Sequence, residues 1–411
     1  MAIIRPFKAI RPAQNVAHLV ASVPYDVVNR EESANLAAGN ELNFLRVTRS
    51  EIELPENVSP YDKSVYQKAK ENFERLIEQA PLIQDEEENL YVYHLTMGEQ
   101  KQAGIAATFS IDDYDNDIIK KHEKTRKVKE DDRTNHIITT EAQTGAVFLT
   151  YKGIEKVNNI VDKTMNETEP IYNFTSNDGI IHKLWILPKE YISTIVDEIS
   201  RTKYLYIADG HHRAASAARA RNVKKEKNPN HTGKEEYNFF LAVLFPAEQL
   251  KILPYNRVIF DLKGMTENEF IEKIKINFSV ESSDSASPKN VKNICMYMSN
   301  KWYLLKPNEN VKKAENVGGN LDVSILENYL LKPVLGIEDI RTDTTIDFIG
   351  GIRGTAELEK LVDSGKAKVA FSMYPVSVEE LINISDAGET MPPKSTWFEP
   401  KLRDGLVVHT I

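Results

Sequence analysis

The chain has 411 residues, 41% hydrophobic and 9% aromatic, enough apolar material for more than one buried core. A formal net charge of −9 argues against general nucleic-acid binding, and the single cysteine, Cys295, excludes an internal disulfide framework. No apolar run approaches the ~18 residues of a membrane span, and the N-terminal run breaks at Arg5-Pro6, too early for a signal peptide, so the expectation is a soluble cytoplasmic protein.

In chain order, Pro24 forces an extended or turned path and leaves Asp26 on a loop that can present it; taken alone, Pro24-Tyr25-Asp26 is only a turn. Val65, Ala69, Phe73, Leu76 and Ile77 recur at helical spacing within 61–79, with Pro81 as the stop. Segments 89–96 and 102–111 read as strands joined by a hairpin at Met97-Gly98-Glu99-Gln100. Between Lys120 and Arg133 there are seven basic and four acidic side chains. Such a run is usually a solvated face, but His122-Glu123 and Asp131-Asp132-Arg133 stand out. A glutamate beside basic groups stays ionised and suits a general base, while the cations suit a polyphosphate. Gly145 to Tyr151 and Ile180 to Leu187 are further strands.

The organising stretch is Lys203 to Arg221. A β-branched and aromatic run ends in Asp209-Gly210-His211-His212-Arg213, and an alanine-rich run with helix-forming character follows at once. A strand turning directly into a helix presents unpaired N–H groups and the positive end of the helix dipole at one point. Two imidazoles and a guanidinium there make an anion site; the plainer reading has Asp209 capping the helix and Gly210 making the turn. A polar loop is expected over 222–234, and a fully apolar, central strand over 237–245.

Beyond residue 265 a helix over 267–276, strands near Ile294 and Trp302 and a helix near Leu326 suggest an accessory α/β unit. Ile346 to Thr355 repeats the strand–glycine–helix pattern, with a return strand over 368–373; its spacing matches neither dinucleotide nor Walker loops, so a plain tight turn suffices. In the tail, Pro392 and Pro393 hold the chain extended before Lys394-Ser395-Thr396, whose ammonium and hydroxyls suit phosphate or metal. Zinc-hydrolase and α/β-hydrolase patterns are absent, and adjacent His211-His212 are poorly placed to chelate one metal.

Taken together, Pro24-Tyr25-Asp26-Val27, Lys121-His122-Glu123-Lys124-Thr125, Asp131-Asp132-Arg133, Ala208 to Arg213, Asn256-Arg257-Val258, Phe348-Ile349-Gly350-Gly351 and Met391 to Thr396 resemble a bacterial and archaeal family long described only as a conserved domain of unknown function. The D-G-H-H-R block also resembles the phosphate-binding motif of the ParB/sulfiredoxin-like superfamily, whose kinase members phosphorylate free L-serine with ATP or ADP. The resemblance implies an α+β fold: a mixed β-sheet ParB/sulfiredoxin-like core at 111–260, an N-terminal α/β segment at 1–110, the accessory α/β unit at 261–345, and a C-terminal segment at 346–411 returning to the active site. It implies a nucleotide-dependent kinase acting on free L-serine with ATP (or ADP) and Mg²⁺. The small molecule is the expected partner, and neither membrane nor nucleic acid is. Glu123 is then the base, with Asp209 and His211 also catalytic and Asp209 on the metal. Gly210, His211, His212, Arg213, Lys394, Ser395 and Thr396 hold phosphate, and Asp26, His122 and Arg133 hold the substrate. The alternatives are a nucleotide-binding, ParB-like DNA-binding or regulatory module, or an NTPase or nuclease of that superfamily.

Overall fold

A computed structural model describes residues 2–79 and 81–411. The chain forms two compact units: residues 1–121, 125–250 and 400–411 make the first, and 122–124 with 251–399 the second.

The first unit is built on a nine-stranded sheet: β1 (Ile4–Arg5), β2 (Tyr91–Met97), β3 (Gln100–Ser110), β4 (Ile119–Lys120), β5 (Val147–Tyr151), β6 (Tyr172–Thr175), β7 (Ile181–Ile186), β8 (Leu205–Asp209) and β9 (Phe239–Pro246). The order is β4-β8-β5-β9-β3-β2-β7-β6, with β1 paired to β3. β8 runs parallel to β4 and β9 parallel to β5, while the other pairs are antiparallel, so the sheet is mixed. Alternate residues Ile105, Ala107 and Phe109, Val147 and Leu149, Leu205 and Ile207, and Phe240, Ala242 and Leu244 all enter one core, and the residues between them are buried on the other face. Helices α1 (Lys63–Glu78), α2 (Lys127–Thr140), α3 (Glu155–Glu167), α4 (Lys189–Ser200) and α5 (His211–Lys227) accompany the sheet. Val157, Ile160 and Val161 of α3, Ile195 and Ile199 of α4, and Ala214, Ala217 and Ala218 of α5 reach the same core.

Three local features differ from the sequence expectation. Ile77 of α1 is 38% exposed, whereas Phe73 and Leu76 pack with Phe44, Val47 and Val408. α5 continues to Lys227 instead of yielding to a loop at Asn222, and its last turn carries Lys224, Lys225 and Lys227, which suit the negative end of the helix dipole. The charged stretch ahead of Arg133 is helical from Lys127, and Asp132, Thr134 and His136 are buried. α2 and α5 are tied by Arg219, which pairs with Glu130 and Asp131, and by Ser216, which donates to the Glu130 carbonyl.

The last twelve residues are woven into this unit. Asp404 and Ser22 exchange backbone hydrogen bonds of 2.9 and 3.1 Å, and Val408 and Ile10 exchange bonds of 2.8 and 2.9 Å.

The second unit holds an antiparallel six-stranded sheet: β10 (Tyr255–Ile259), β11 (Phe278–Ser282), β12 (Ile294–Met298), β13 (Lys301–Pro307), β14 (Ile346–Gly350) and β15 (Val369–Ser372), ordered β11-β13-β12-β15-β10-β14. It therefore draws strands from the 261–345 and 346–411 segments and one, β10, from the end of the 111–260 segment. Helices α6 (Glu267–Ile274) and α8 (Val378–Asp386) start with reciprocal capping boxes, Thr266 with Glu269 and Ser377 with Glu380. Leu358 of α7 (Gly354–Asp363) packs with Val258, Tyr297, Ala367 and Ala370. Burial pushes the Cys295 thiol, on β12, up to about 11. Among the described residues no helix is long and apolar enough to cross a membrane.

Gly104 of β3 tests the packing of the first sheet. A Cβ there would lie 2.7 Å from the Phe245 ring and 2.8 Å from the Leu244 carbonyl. Backbone cannot yield as a flexible side chain can, so Gly104→Ala is expected to cost about 1–3 kcal/mol. Urea unfolding should show a lower midpoint with an unchanged slope; an unchanged midpoint would contradict this packing.

Candidate functional site

The turn after β8 is shaped by two backbone devices. Ile207 pairs with Leu149 and Asp209 with Phe148, so Ala208 is an extra residue in the ladder, a bulge that re-aims Asp209. Gly210 then adopts φ 93°, ψ 29°, the left-handed region open to glycine, and α5 begins at His211. A Cβ on Gly210 would also crowd the Arg213 guanidinium at 2.9 Å. Gly210, not Asp209, occupies the cap position, and no side chain caps the helix.

The Asp209 carboxylate is thereby left for other partners. Oδ1 accepts from the Gly210 N–H at 2.9 Å, while Oδ2 accepts from Lys401 Nζ at 3.1 Å and meets Arg213 Nη2 at 3.5 Å. Burial works against this charge, but Lys401 and Arg213 outweigh it and hold the carboxyl well below the usual range. His212 Nε2 accepts from the Arg126 N–H at 3.0 Å, which fixes that nitrogen as unprotonated; His211 is buried.

Arg213 itself is buried and donates through Nη1 to the Ala146 carbonyl, while its Nε is buried without a hydrogen bond. Burial opposes its charge, yet Asp26, Asp209 and Asp404 raise its pKa above the ordinary value. Arg133 lies 4.2 Å over the Tyr25 ring, bonds Asp132 through Nε at 3.0 Å and the Thr48 carbonyl through Nη1 at 3.3 Å. Asp26 is exposed at the same place. The Pro24-Tyr25-Asp26, Asp131-Asp132-Arg133 and D-G-H-H-R blocks thus meet in one charged cluster of the first unit.

The second unit gathers the remaining blocks. Thr396 Oγ1 lies 3.4 Å from His122 Nε2 across 274 residues of sequence, and the Met391 N–H donates to the His122 carbonyl at 2.8 Å. His122 is buried and Glu123 half-buried. Lys394 takes φ 59°, its carbonyl accepts from the buried Arg257 at 3.2 Å, and its ammonium lies 5.3 Å over the Tyr255 ring. Ser395 Oγ donates to the Pro392 carbonyl at 2.6 Å. Arg257 pairs in register with Phe348, and burial lowers its pKa to about 10. Gly350 and Gly351 are explained by close packing: a Cβ would lie 2.7 Å from the Trp397 ring and 2.5 Å from the Pro254 carbonyl respectively.

Three residues outside the sequence-derived set belong to the first cluster: Tyr25, Lys401 and Asp404. Tyr25 sat inside a recognised block. Lys401 and Asp404 lie in a C-terminal stretch whose value shows only once it reaches β8. Among the described residues no group of three or more His, Cys, Asp or Glu is arranged to hold a metal ion. Asp209, ionised, fits the single-carboxylate role that Mg²⁺ takes when phosphates and waters supply its other oxygens.

Asp404 gives the cluster a pH signature. It is 2% exposed, and burial raises its carboxyl to about 7 against the pull of Arg213 and Arg133, with Asp26 adding to the rise. An acid whose folded pKa exceeds its unfolded value near 4 binds more protons when folded. It therefore costs stability as pH rises from about 4 to about 7. Asp404→Asn should raise stability at pH 5 and raise it further at pH 8, read by urea midpoints; an identical difference at both values would rule this out.

A family model described as "Protein of unknown function (DUF1015)" matches residues 4–324. No curated protein matches the chain. Among solved structures, a conserved hypothetical protein from Pyrococcus furiosus aligns at 14% identity and TM-score 0.36, over 75% of this chain and 95% of that one. A free serine kinase in complex with AMP aligns at 12% and 0.37, over 74% and 91%. SbnI from Staphylococcus aureus, truncated at its C-terminus, aligns at 12% and 0.39, over 74% and 87%. With its model matched across most of the chain, the protein belongs to the DUF1015 family.

Proposed function

We propose that the protein is a nucleotide-dependent kinase with a ParB/sulfiredoxin-like core, transferring a phosphoryl group from ATP or ADP to the hydroxyl of free L-serine. The observation that carries this reading is Asp209 at an uncapped helix start, kept ionised by Lys401 and Arg213. The D-G-H-H-R resemblance supports it independently.

Phosphoryl transfer needs positioning and charge neutralisation more than covalent chemistry. The N–H groups opening α5 and the Arg213 guanidinium are suited to phosphate oxygens. Gly210 lets backbone approach them, and His211 and His212 flank the turn. Lys394, Ser395 and Thr396 are assigned a supporting phosphate role, and Asp26 and His122 a substrate role. Arg133 is assigned the serine carboxylate. Asp209 would hold Mg²⁺ together with the nucleotide, and the ion would supply neutralisation of phosphate charge. Glu123 accepts the hydroxyl proton as the serine oxygen forms its bond to phosphorus and the bond to the departing phosphate breaks, leaving O-phosphoserine and the shortened nucleotide.

Purified protein incubated with ATP or ADP, Mg²⁺ and L-serine should yield O-phosphoserine by mass spectrometry. Glu123→Gln should lower the rate by about 10²–10⁴, the usual worth of a general base. No phosphoserine with either nucleotide would overturn the reading, and inorganic phosphate released without serine would point to nucleotide hydrolysis instead.

A further inference from the structure

The Asn256-Arg257-Val258 and Phe348-Ile349-Gly350-Gly351 blocks stand out in the sequence, yet the kinase reading gives neither a task. They lie on paired strands, β10 and β14, and both touch the segment from Lys394 to Trp397. Val258 packs with Leu358 of α7, and Asn256 Oδ1 accepts from the Met373 N–H at 3.0 Å, which seats β10. Arg257, between them, is 2% exposed and donates through Nη1 to the Tyr255 carbonyl and through Nη2 to the Lys394 carbonyl at 3.2 Å. A guanidinium withdrawn from water and given carbonyls in place of a carboxylate is a costly way to stabilise a fold. What it supplies is position, because its planar fork fixes two acceptors in a set geometry that a flexible ammonium cannot reproduce.

Lys394 is a residue that needs fixing. Its φ of 59° lies in the left-handed region, which a residue with a Cβ enters at a cost and glycine enters freely. The neighbouring contacts hold the same bend. Ser395 Oγ donates to the Pro392 carbonyl at 2.6 Å, and Trp397 sits where a Cβ on Gly350 would lie 2.7 Å from its ring. The Trp397 and Tyr255 rings meet edge-on with centroids 5.2 Å apart. In this conformation the Lys394 ammonium lies 5.3 Å over the Tyr255 ring. A lysine held in a conformation that suits glycine points to a use for its ammonium.

We propose that Arg257 is a positioning residue for Lys394: its grip on the Lys394 carbonyl holds that residue left-handed and so sets where the ammonium stands. That the ammonium meets a nucleotide phosphate there rests on the kinase reading; the grip itself does not. Glycines at 350 and 351 complete the cradle by leaving room for Trp397 and for the Pro254 carbonyl.

Urea unfolding without ligand reads the bend. Lys394→Gly and Lys394→Ala both remove the ammonium, but only glycine suits a left-handed backbone. With Arg257 intact the glycine variant should therefore have the higher midpoint. In an Arg257→Lys background residue 394 is free to relax, so the advantage of glycine should vanish or reverse. The same glycine advantage in both backgrounds, or none with Arg257 intact, would overturn the proposal. Should Arg257→Lys fail to fold, the comparison with Arg257 intact carries the test alone, and a glycine variant no more stable than the alanine one overturns it.

Calorimetric titration with ADP and Mg²⁺ reads the ammonium. Lys394→Met should weaken binding by on the order of 10-fold, as for one hydrogen bond from a charged group, and Arg257→Lys by no more than that. The double variant should bind as Lys394→Met does; losses that multiply would show Arg257 acting otherwise than through Lys394 and would overturn the proposal. Wild type that binds no ADP while the urea coupling holds would refute the kinase reading alone. Phosphoserine formation without that coupling would refute this proposal alone.

Discussion

One ion cluster governs the first unit: the Asp209 carboxylate between Lys401 and Arg213. A carboxylate out of bulk water is costly unless cations and hydrogen bonds replace its hydration. Each surrounding feature serves that replacement. The bulge at Ala208 re-aims the acid, the left-handed Gly210 turns the chain without a side chain in the way of Arg213, and the alanines of α5 seat the helix in the core. The C-terminal residues cross the unit to deliver Lys401, anchored at Ser22 and Ile10 on the way past. A chain that only needed a tight turn would require none of this.

The same economy appears in the second unit. Arg257 spends its donors on main-chain carbonyls, one of them at Lys394, and the Gly350-Gly351 pair clears space for Trp397 and Pro254. His122 and Thr396 meet across 274 residues of sequence. These blocks are held by backbone contacts, so the segment around Lys394 is placed by its neighbours more than by its own prolines.

Much of the framework was legible beforehand because it follows local rules. A hairpin turn between two strand-like runs marked β2 and β3, a fully apolar run marked β9, helical spacing marked α1, and an alanine run after a β-branched run marked the turn at Asp209. The extent of α5 is obscured because five of its last six residues are polar, a composition that suits a loop as well as a lysine-rich helix end. The partners of Asp209 were another matter. Lys401 lies 192 residues away, and no periodicity or spacing connects a lysine in the tail to an aspartate at the end of β8. Asp404 was hidden for the same reason, since a lone aspartate before a glycine reads as a surface turn until burial is known. Gly350 and Gly351 read as a tight turn, while their lack of side chains is needed for contacts made by residues distant in sequence.

The central claim is that the helix start at Asp209 holds the phosphates of a nucleotide. Hydrogen exchange of the whole chain, with and without ADP and Mg²⁺, tests it most directly, because bound phosphate slows exchange at the N–H groups it engages. Protection centred on the peptide spanning Gly210 to Ala214, and lost in Lys401→Met along with nucleotide affinity, is the expected result. Tight ADP binding that leaves those amides exchanging at their unliganded rate would contradict it.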